Sequence, residues 1–530
     1  MNISQILENF PDGQKIALCD KQRGENRSIT FDQLKERMYQ CSAQLVKAGI
    51  SKGSRLVVAA PLTIETYILL LSLFRIGAVV VIPDLSAGLR QLRLSIALTK
   101  PDGIIGSSSA VWASQMLSET KKIKWRLQLS DLVNDGTPET ETSEFGDREE
   151  VENDHPALIT FTSGSTGGPK AIVRTHDFLL KQHQILANNL SKESDTVELT
   201  TLPVFVLSNL ADGITSVLPD CDMRKPGRID AKRVIKQIKE TAVNRILASP
   251  AFLGRLVANM EQHDIGLPDV TRILTGGGPV FPALLQRLAR VFPNAKLTIV
   301  YGSTEAEPIA HIEYGAISKE DLEKMHNGYG LLVGKPVEEI EVLISAVNCS
   351  VVYGDTVISP EIRSIGTNQT GEILVSGKHV IQSYLNGKGD QETKVRYGDK
   401  IWHRTGDAGY FDDRGNLWLM GRCATIIDDE RGHVYPFQVE VAASELPHVR
   451  RATCLQNSGK RILVIEKVHR TPFKWIADLF SKGTEIQASL KNSFAWLHFD
   501  EIRYVWAIPV DRRHNSKILY NELARFINHA

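Results

Sequence analysis

Apolar positions along this chain fall into two alternating periods. Residues 29–34 open an apolar stripe at helical spacing, with Asp32 expected as the cap. Residues 55–60 read as a buried strand. From Tyr67 to Pro83 the chain is apolar but is broken by Arg75 and Gly77 and turns β-branched at Val79-Val80-Val81-Ile82. That pattern predicts a buried helix entering a buried strand, not a membrane span. Further on, residues 199–205 predict a strand and turn, 214–218 another apolar run, and 231–241 a helix with a wet, basic face. Residues 245–250 predict a strand leading into a helix, and 272–276 and 297–301 predict two more strands. Strand-then-helix units repeated in this way specify an α/β fold in which helices cover a parallel sheet.

At 530 residues the chain exceeds what one compact core supports, so two or more domains are expected. Hydrophobic residues make up 42% and charged residues 23%, as in ordinary soluble globular proteins. The 62 basic and 62 acidic residues cancel, which argues against nucleic acid as a partner. Cysteines at 19, 41, 221, 349, 423 and 454 lack metal-ligand spacing and are expected to be unpaired thiols in a reducing compartment. The start, Met1-Asn2-Ile3-Ser4-Gln5, lacks a signal peptide's basic start and apolar core, so a cytoplasmic protein without a spanning segment is expected. The acidic stretch 135–154 reads as a solvated connection in preference to a metal or partner site.

The chemistry begins at Ile159-Thr160-Phe161-Thr162-Ser163-Gly164-Ser165-Thr166-Gly167-Gly168-Pro169-Lys170. A β-prone run feeds a loop of hydroxyls and glycines closed by a lysine. Glycines let backbone N–H groups approach an anion, hydroxyls donate to it, and the lysine adds charge, so the loop suits a polyphosphate. It lacks the Walker spacing, and a flexible Ser/Gly linker would not be expected to follow an apolar strand directly. Gly276-Gly277-Gly278 after a strand is either a tight turn or a place where backbone lies flat against a ligand. Tyr301-Gly302-Ser303-Thr304-Glu305 ends the next strand with an aromatic, hydroxyls and a carboxylate. In a parallel sheet these strand ends meet in one crevice.

Three motifs in this order resemble the acyl-adenylate-forming enzymes, the superfamily of acyl-CoA synthetases, peptide-synthetase adenylation domains and luciferases. The resemblance implies ATP and Mg²⁺ as cofactors and a small-molecule carboxylic acid as substrate. It assigns Thr162, Ser163, Gly164, Ser165, Thr166, Gly167 and Lys170 to the phosphates, and Gly276, Gly277, Gly278 and Tyr301, with Gly302 and Ser303, to the nucleotide. Thr304 would touch a phosphate and Glu305 would hold the metal. Asp407, in Arg404-Thr405-Gly406-Asp407, would accept the ribose hydroxyls, with Arg422 nearby. The implied architecture is an N-terminal adenylation domain, 1–421, of parallel-rich sheets plus a β-barrel-like subdomain, and a small α+β domain, 422–530, on a hinge. The latter carries Lys517, expected at the reacting centre.

The departures narrow the resemblance. After Gly421-Arg422 the family's thioester-forming lysine is replaced within Asp428-Asp429-Glu430, an acidic cluster expected to repel coenzyme A. Leu202-Pro203-Val204-Phe205-Val206-Leu207, residues 218–223 and Asp511-Arg512-Arg513-His514-Asn515-Ser516-Lys517-Ile518 are similar to the β-lactone synthetases of bacterial long-chain olefin formation. Those enzymes adenylate a 2-alkyl-3-hydroxy acid whose own hydroxyl displaces AMP, so no external thiol is needed. That similarity leaves room for enzyme partners of the same pathway. His514 is either the group assisting that hydroxyl or a salt-bridged structural histidine. The alternatives are an acyl-CoA or acyl-carrier-protein ligase, and a non-catalytic nucleotide-binding homologue.

Overall fold

The computed structural model describes residues 2–7, 10, 12–22, 24–133, 148–163, 168–190, 193, 195–346, 352–353, 356–357, 362–444, 446, 449–467, 494–511 and 517–529. Among them two sheets dominate. The smaller runs Trp125–Gln128, Gly103–Gly106, Arg55–Ala59, Val79–Val81 and Pro156–Ser163, all parallel, and closes with antiparallel Pro169–Thr175. The larger has 14 strands. Its parallel centre is Thr215–Val217, Val197–Thr200, Arg245–Ala248, Arg272–Gly276 and Lys296–Ser303. Antiparallel strands from Ala306–Glu313 through Leu331–Pro336 and Leu417–Arg422 to Lys400–Phe411, Gly371–Gly377 and Ile340–Ser345 continue it as a second, β-rich part.

The apolar run from Tyr67 forms the Ile64–Arg75 helix, buried on nearly every face, and then the Val79–Val81 strand, as its pattern predicts. Among the described residues no helix is long and apolar enough to cross a membrane. Two local expectations change. The helix at Phe31–Lys47 is capped by Thr30, whose hydroxyl accepts from Gln33 while Gln33 answers the cap backbone; Asp32 lies inside the first turn. The expected turn at Pro203 is instead the first residue of the Pro203–Ala211 helix, where its fixed φ and missing N–H cost nothing. Cys19, Cys41, Cys221, Cys423 and Cys454 are free thiols, and Cys349 lies outside the described residues. Of the acidic stretch, residues 135–147 also lie outside them; Glu149 and Glu152 beyond pair with Lys52 at 3.7 and 3.1 Å.

The C-terminal part is a three-stranded sheet, Val449–Asn457, Lys460–Lys467 and Glu501–Val505, packed by the Pro436–Ala443 and Tyr520–His529 helices. Between these helices Tyr520 donates to the Glu440 carboxylate and meets Thr453 Oγ1 at 2.9 Å. Burial pushes the Glu440 carboxyl up to about 8, against the pull of Tyr520 and Arg451. Above the ordinary glutamate range the unfolded chain loses this proton while the folded chain keeps it, so Glu440 erodes stability as pH rises towards about 8. The apparent Tm is therefore expected to fall between about pH 5 and about pH 8, and Glu440→Gln to flatten that slope in thermal-shift scans.

Candidate active site

The site lies where the carboxyl ends of the larger sheet's central strands face the end of Pro156–Ser163 in the smaller one. Buried Arg174, on the strand after the glycine loop, ties the two. Its Nη1 donates to Thr160 Oγ1 at 2.7 Å and its Nη2 to the Thr304 carbonyl at 2.6 Å. Thr162 is paired in register with Lys170 across the loop, and Ser163 with Pro169. Gly164, Ser165, Thr166 and Gly167 lie outside the described residues, as does His514.

Glu305 is brought against this strand. Thr162 Oγ1 donates to its Oε1 at 3.2 Å, and Tyr384 donates to the same oxygen at 2.9 Å. No described residue donates to Oε2. Burial raises the Glu305 carboxyl, while the Tyr384 and Thr162 hydroxyls and its own N–H, donating to the charged form, pull the other way and leave it below its usual range. The neighbouring His403 ring is pushed down to about 3, by burial and then by Lys394, so it carries no charge at neutral pH and the hydroxyls are the constant donors. An ionised carboxylate with one oxygen fully engaged and the other left open is the hard, monodentate ligand that Mg²⁺ takes, so the residues fit that ion.

Lys170 is buried, with its ammonium 5.5 Å from the centroid of the Tyr384 ring. Its stem runs so close to Gly389, at φ +109°, that a Cβ there would stand 2.9 Å from the Lys170 chain. Lys394 lies 5.3 Å from the same ring, donates to the Ile381 carbonyl and meets His403 Nδ1 at 3.3 Å. Burial, offset by Glu305 and Asp390, pushes the Lys394 ammonium down to about 8.

Gly276 has no room for a side chain: a Cβ would approach the Val300 carbonyl to 2.5 Å. Gly277, at φ +75°, has nothing within 4 Å on that side, so the backbone there faces open space, with Gly278 next in the chain. Tyr301 donates to Asp407 Oδ2 at 2.9 Å, and Arg422 Nε stands 3.1 Å from Oδ1. Ser303 Oγ accepts the Glu305 N–H at 3.3 Å, Gly302 lies between it and Tyr301, and Thr304 meets the cluster through its carbonyl.

The structure thus brings Thr162, Lys170, Gly276, Gly277, Tyr301, Glu305, Asp407 and Arg422 to one edge. Lys517 is not among them: it is exposed and stands in the C-terminal part, beside the Val510↔Ile518 bridge. Arg174, Tyr384, Lys394 and His403 were not singled out by sequence reasoning. Only His403 stood inside a motif, and the others have no local pattern that separates them from surface or core residues. The acidic segment after Arg422 differs from its expectation in one respect. Asp429 is taken up by Arg461 at 2.8 Å and Arg431 at 3.2 Å, and Asp428 stands 3.0 Å from His433, so the charge of Asp429 is offset locally.

The sequence profile of the AMP-binding enzymes matches residues 6–385, and the chain belongs to that family: it is an ATP-dependent, acyl-adenylate-forming enzyme. Within it, the chain is 30% identical to the olefin β-lactone synthetase of Stenotrophomonas maltophilia (strain K279a), over 98% of this chain and 96% of that one. It is 29% identical to the olefin β-lactone synthetase of Xanthomonas campestris pv. campestris, over 99% and 96%. The fold is shared with Bacillus subtilis o-succinylbenzoate coenzyme A synthetase in complex with ATP and magnesium ion, at a TM-score of 0.75 and 21% identity over 98% of both chains.

Proposed function

We propose that this enzyme activates a fatty or 3-hydroxy fatty acid with MgATP and, where the acid carries a 3-hydroxyl, then closes the acyl-adenylate to a β-lactone. The observation that carries the reading is the similarity, over nearly the whole chain, to two olefin β-lactone synthetases. In the first step a carboxylate oxygen of the acid bonds to the α-phosphorus and the bond to the β-phosphate breaks, releasing pyrophosphate. In the second the 3-hydroxyl oxygen bonds to the acyl carbon, AMP leaves, and a base takes the hydroxyl proton. Holding both groups on one molecule replaces a second binding event.

In this assignment Thr162, Ser163, Gly164, Ser165, Thr166, Gly167 and Lys170 hold the outer phosphates. Gly276, Gly277, Gly278 and Tyr301 flank adenine, with Gly302 and Ser303 beside them. Thr304 takes a phosphate oxygen, and Asp407 with Arg422 holds the ribose. Mg²⁺ on Glu305 Oε2 would neutralise phosphate charge as it redistributes. Residues 422–530 form the moving unit, with Lys517 at the reacting centre and His514 as the base in lactone closure. The enzyme is placed in the cytoplasm, beside enzymes of its own pathway.

One observation keeps a second reading, acyl-CoA or acyl-carrier-protein ligation. Asp429, neutralised by Arg461 and Arg431, does not repel a phosphorylated thiol as a bare acidic cluster would. Product analysis with MgATP and a panel of fatty and 3-hydroxy fatty acids, with and without coenzyme A, decides between them. AMP and a β-lactone are expected from hydroxy acids without the thiol. Thioester formation that depends on coenzyme A would replace the lactone assignment and leave the adenylation standing.

A further inference from the structure

Tyr384 is 3% exposed and its position is fixed three ways. Its backbone makes a bridge to Ile172, on the strand that follows the glycine loop, and its N–H donates to Asp390 at 2.8 Å. Three residues earlier, the Ile381 N–H donates to the Glu305 carbonyl at 2.9 Å, so the segment is clipped to the backbone of the residue its side chain meets. Its ring carries two ammonium groups, Lys170 at 5.5 Å and Lys394 at 5.3 Å, both within cation–π range. The hydroxyl ends on Glu305 Oε1.

A free carboxylate rotates about its last bond and offers either oxygen, or both, to a cation. Here both hydroxyl donors converge on Oε1, which fixes that rotation and leaves Oε2 as the open oxygen. Of the two, Thr162 is on the strand that runs into the glycine loop, two residues before Gly164. Tyr384 is anchored outside it. We propose that Tyr384 is the positioning residue of the metal site, pinning Glu305 Oε1 so that Oε2 alone is presented to Mg²⁺. The two lysines hold the ring and also offset the carboxylate's charge until the cation arrives.

This inference rests on the reading of Glu305 as the metal ligand, and the experiment separates the two. Mn²⁺ affinity is measured by electron paramagnetic resonance on the full chain with a non-hydrolysable ATP analogue. The Mg²⁺ dependence of pyrophosphate release is measured alongside. Tyr384→Phe is expected to weaken Mn²⁺ binding about 10-fold, the usual scale for an outer-shell partner of a metal ligand. The Mg²⁺ concentration for half-maximal rate should rise in step, while saturating Mg²⁺ restores kcat to within a few-fold and KM for the acid stays put. Tyr384→4-aminophenylalanine, which keeps a donor at the same place, should restore wild-type affinity. Mn²⁺ binding unchanged by Tyr384→Phe but weakened by Glu305→Gln would overturn the role of Tyr384 alone. Binding unchanged by both would overturn the assignment of Glu305 itself. If the Phe variant does not fold, Lys394→Met frees one face of the ring: loss of a positive charge alone would raise Mn²⁺ affinity, so a few-fold loss supports the proposal and an unchanged or higher affinity rejects it.

Discussion

Lys517→Ala is expected to lower the rate of pyrophosphate release by about 100- to 1000-fold, the loss that would follow removal of one positioned donor at a developing oxyanion. The residue is exposed, but its backbone is not loose. Its N–H donates to Asp511 Oδ1 and its carbonyl accepts from the Asp511 N–H, both at 2.8 Å, which ties Lys517 to Asp511 just before Ile518. The residues leading into Asp511 are in turn held to the C-terminal sheet: Glu466, fully buried, accepts the Ile508 N–H at 2.9 Å and pairs with Arg450 at 2.9 Å. A rigid base with a flexible, charged tip suits a group that must arrive at the reacting oxygens from another part of the chain. Because the side chain is exposed and the tie is made by its backbone, the substitution should leave the Tm unchanged, and KM for ATP should move by only a few-fold. The deficit belongs to adenylation alone. A chemically made 3-hydroxyacyl-adenylate supplied to Lys517→Ala should therefore still yield product near the wild-type rate. Pyrophosphate release within about 10-fold of wild type would remove Lys517 from the reacting centre.

The parts of the site that were legible in the sequence share one property. Each is a run of contiguous residues whose types carry the chemistry together: the hydroxyl and glycine loop ending in Lys170, the glycines at 276–278, the Tyr301 to Glu305 strand end and the Thr405 to Asp407 turn. The parallel order of the sheets was legible for a similar reason, since the two periods of apolar spacing alternate along the chain. Tyr384, Lys394 and Arg174 are different. Each acquires its role from a partner far away in the chain, as when Tyr384 meets Glu305 across 79 positions or Arg174 reaches the Thr304 carbonyl across 130. No local pattern separates a tyrosine bound for a carboxylate from one bound for a core. Pro203 shows the same limit at short range. After an apolar strand a proline reads as a turn, and only the helix packed behind it reveals an N-terminal first residue. Charge read from sequence was incomplete likewise at Asp429, where the offsetting Arg461 lies 32 residues further on.

Asp407→Ala should weaken ATP binding on the order of 100-fold, measured by calorimetry, and most of that effect follows from what Asp407 holds before any nucleotide arrives. Oδ1 faces Arg422 Nε at 3.1 Å and Oδ2 accepts from Tyr301 at 2.9 Å. The Asp407 backbone is fixed by its N–H donating to Thr405 Oγ1 at 3.0 Å. A carboxylate has about four lone-pair sites, so with two taken it still accepts two ribose hydroxyls. Removing it would delete both proposed ribose contacts, free the Tyr301 ring proposed to flank adenine, and leave Arg422 without its carboxylate. The Arg422 side chain is half exposed, so the loss of that pair alone costs about 1 kcal/mol or less, and the lost acceptor for Tyr301 and the ribose makes up the rest. Two milder substitutions divide the sum. Tyr301→Phe keeps the ring and loses only its tether, and should cost a few-fold. Asp407→Asn keeps one acceptor oxygen but turns an amide towards a group that donates, and should fall between the two, at about 10-fold. If the alanine variant instead binds ATP as the wild type does, Asp407 serves only to brace Tyr301 and Arg422, and the ribose must be held by other groups in the crevice.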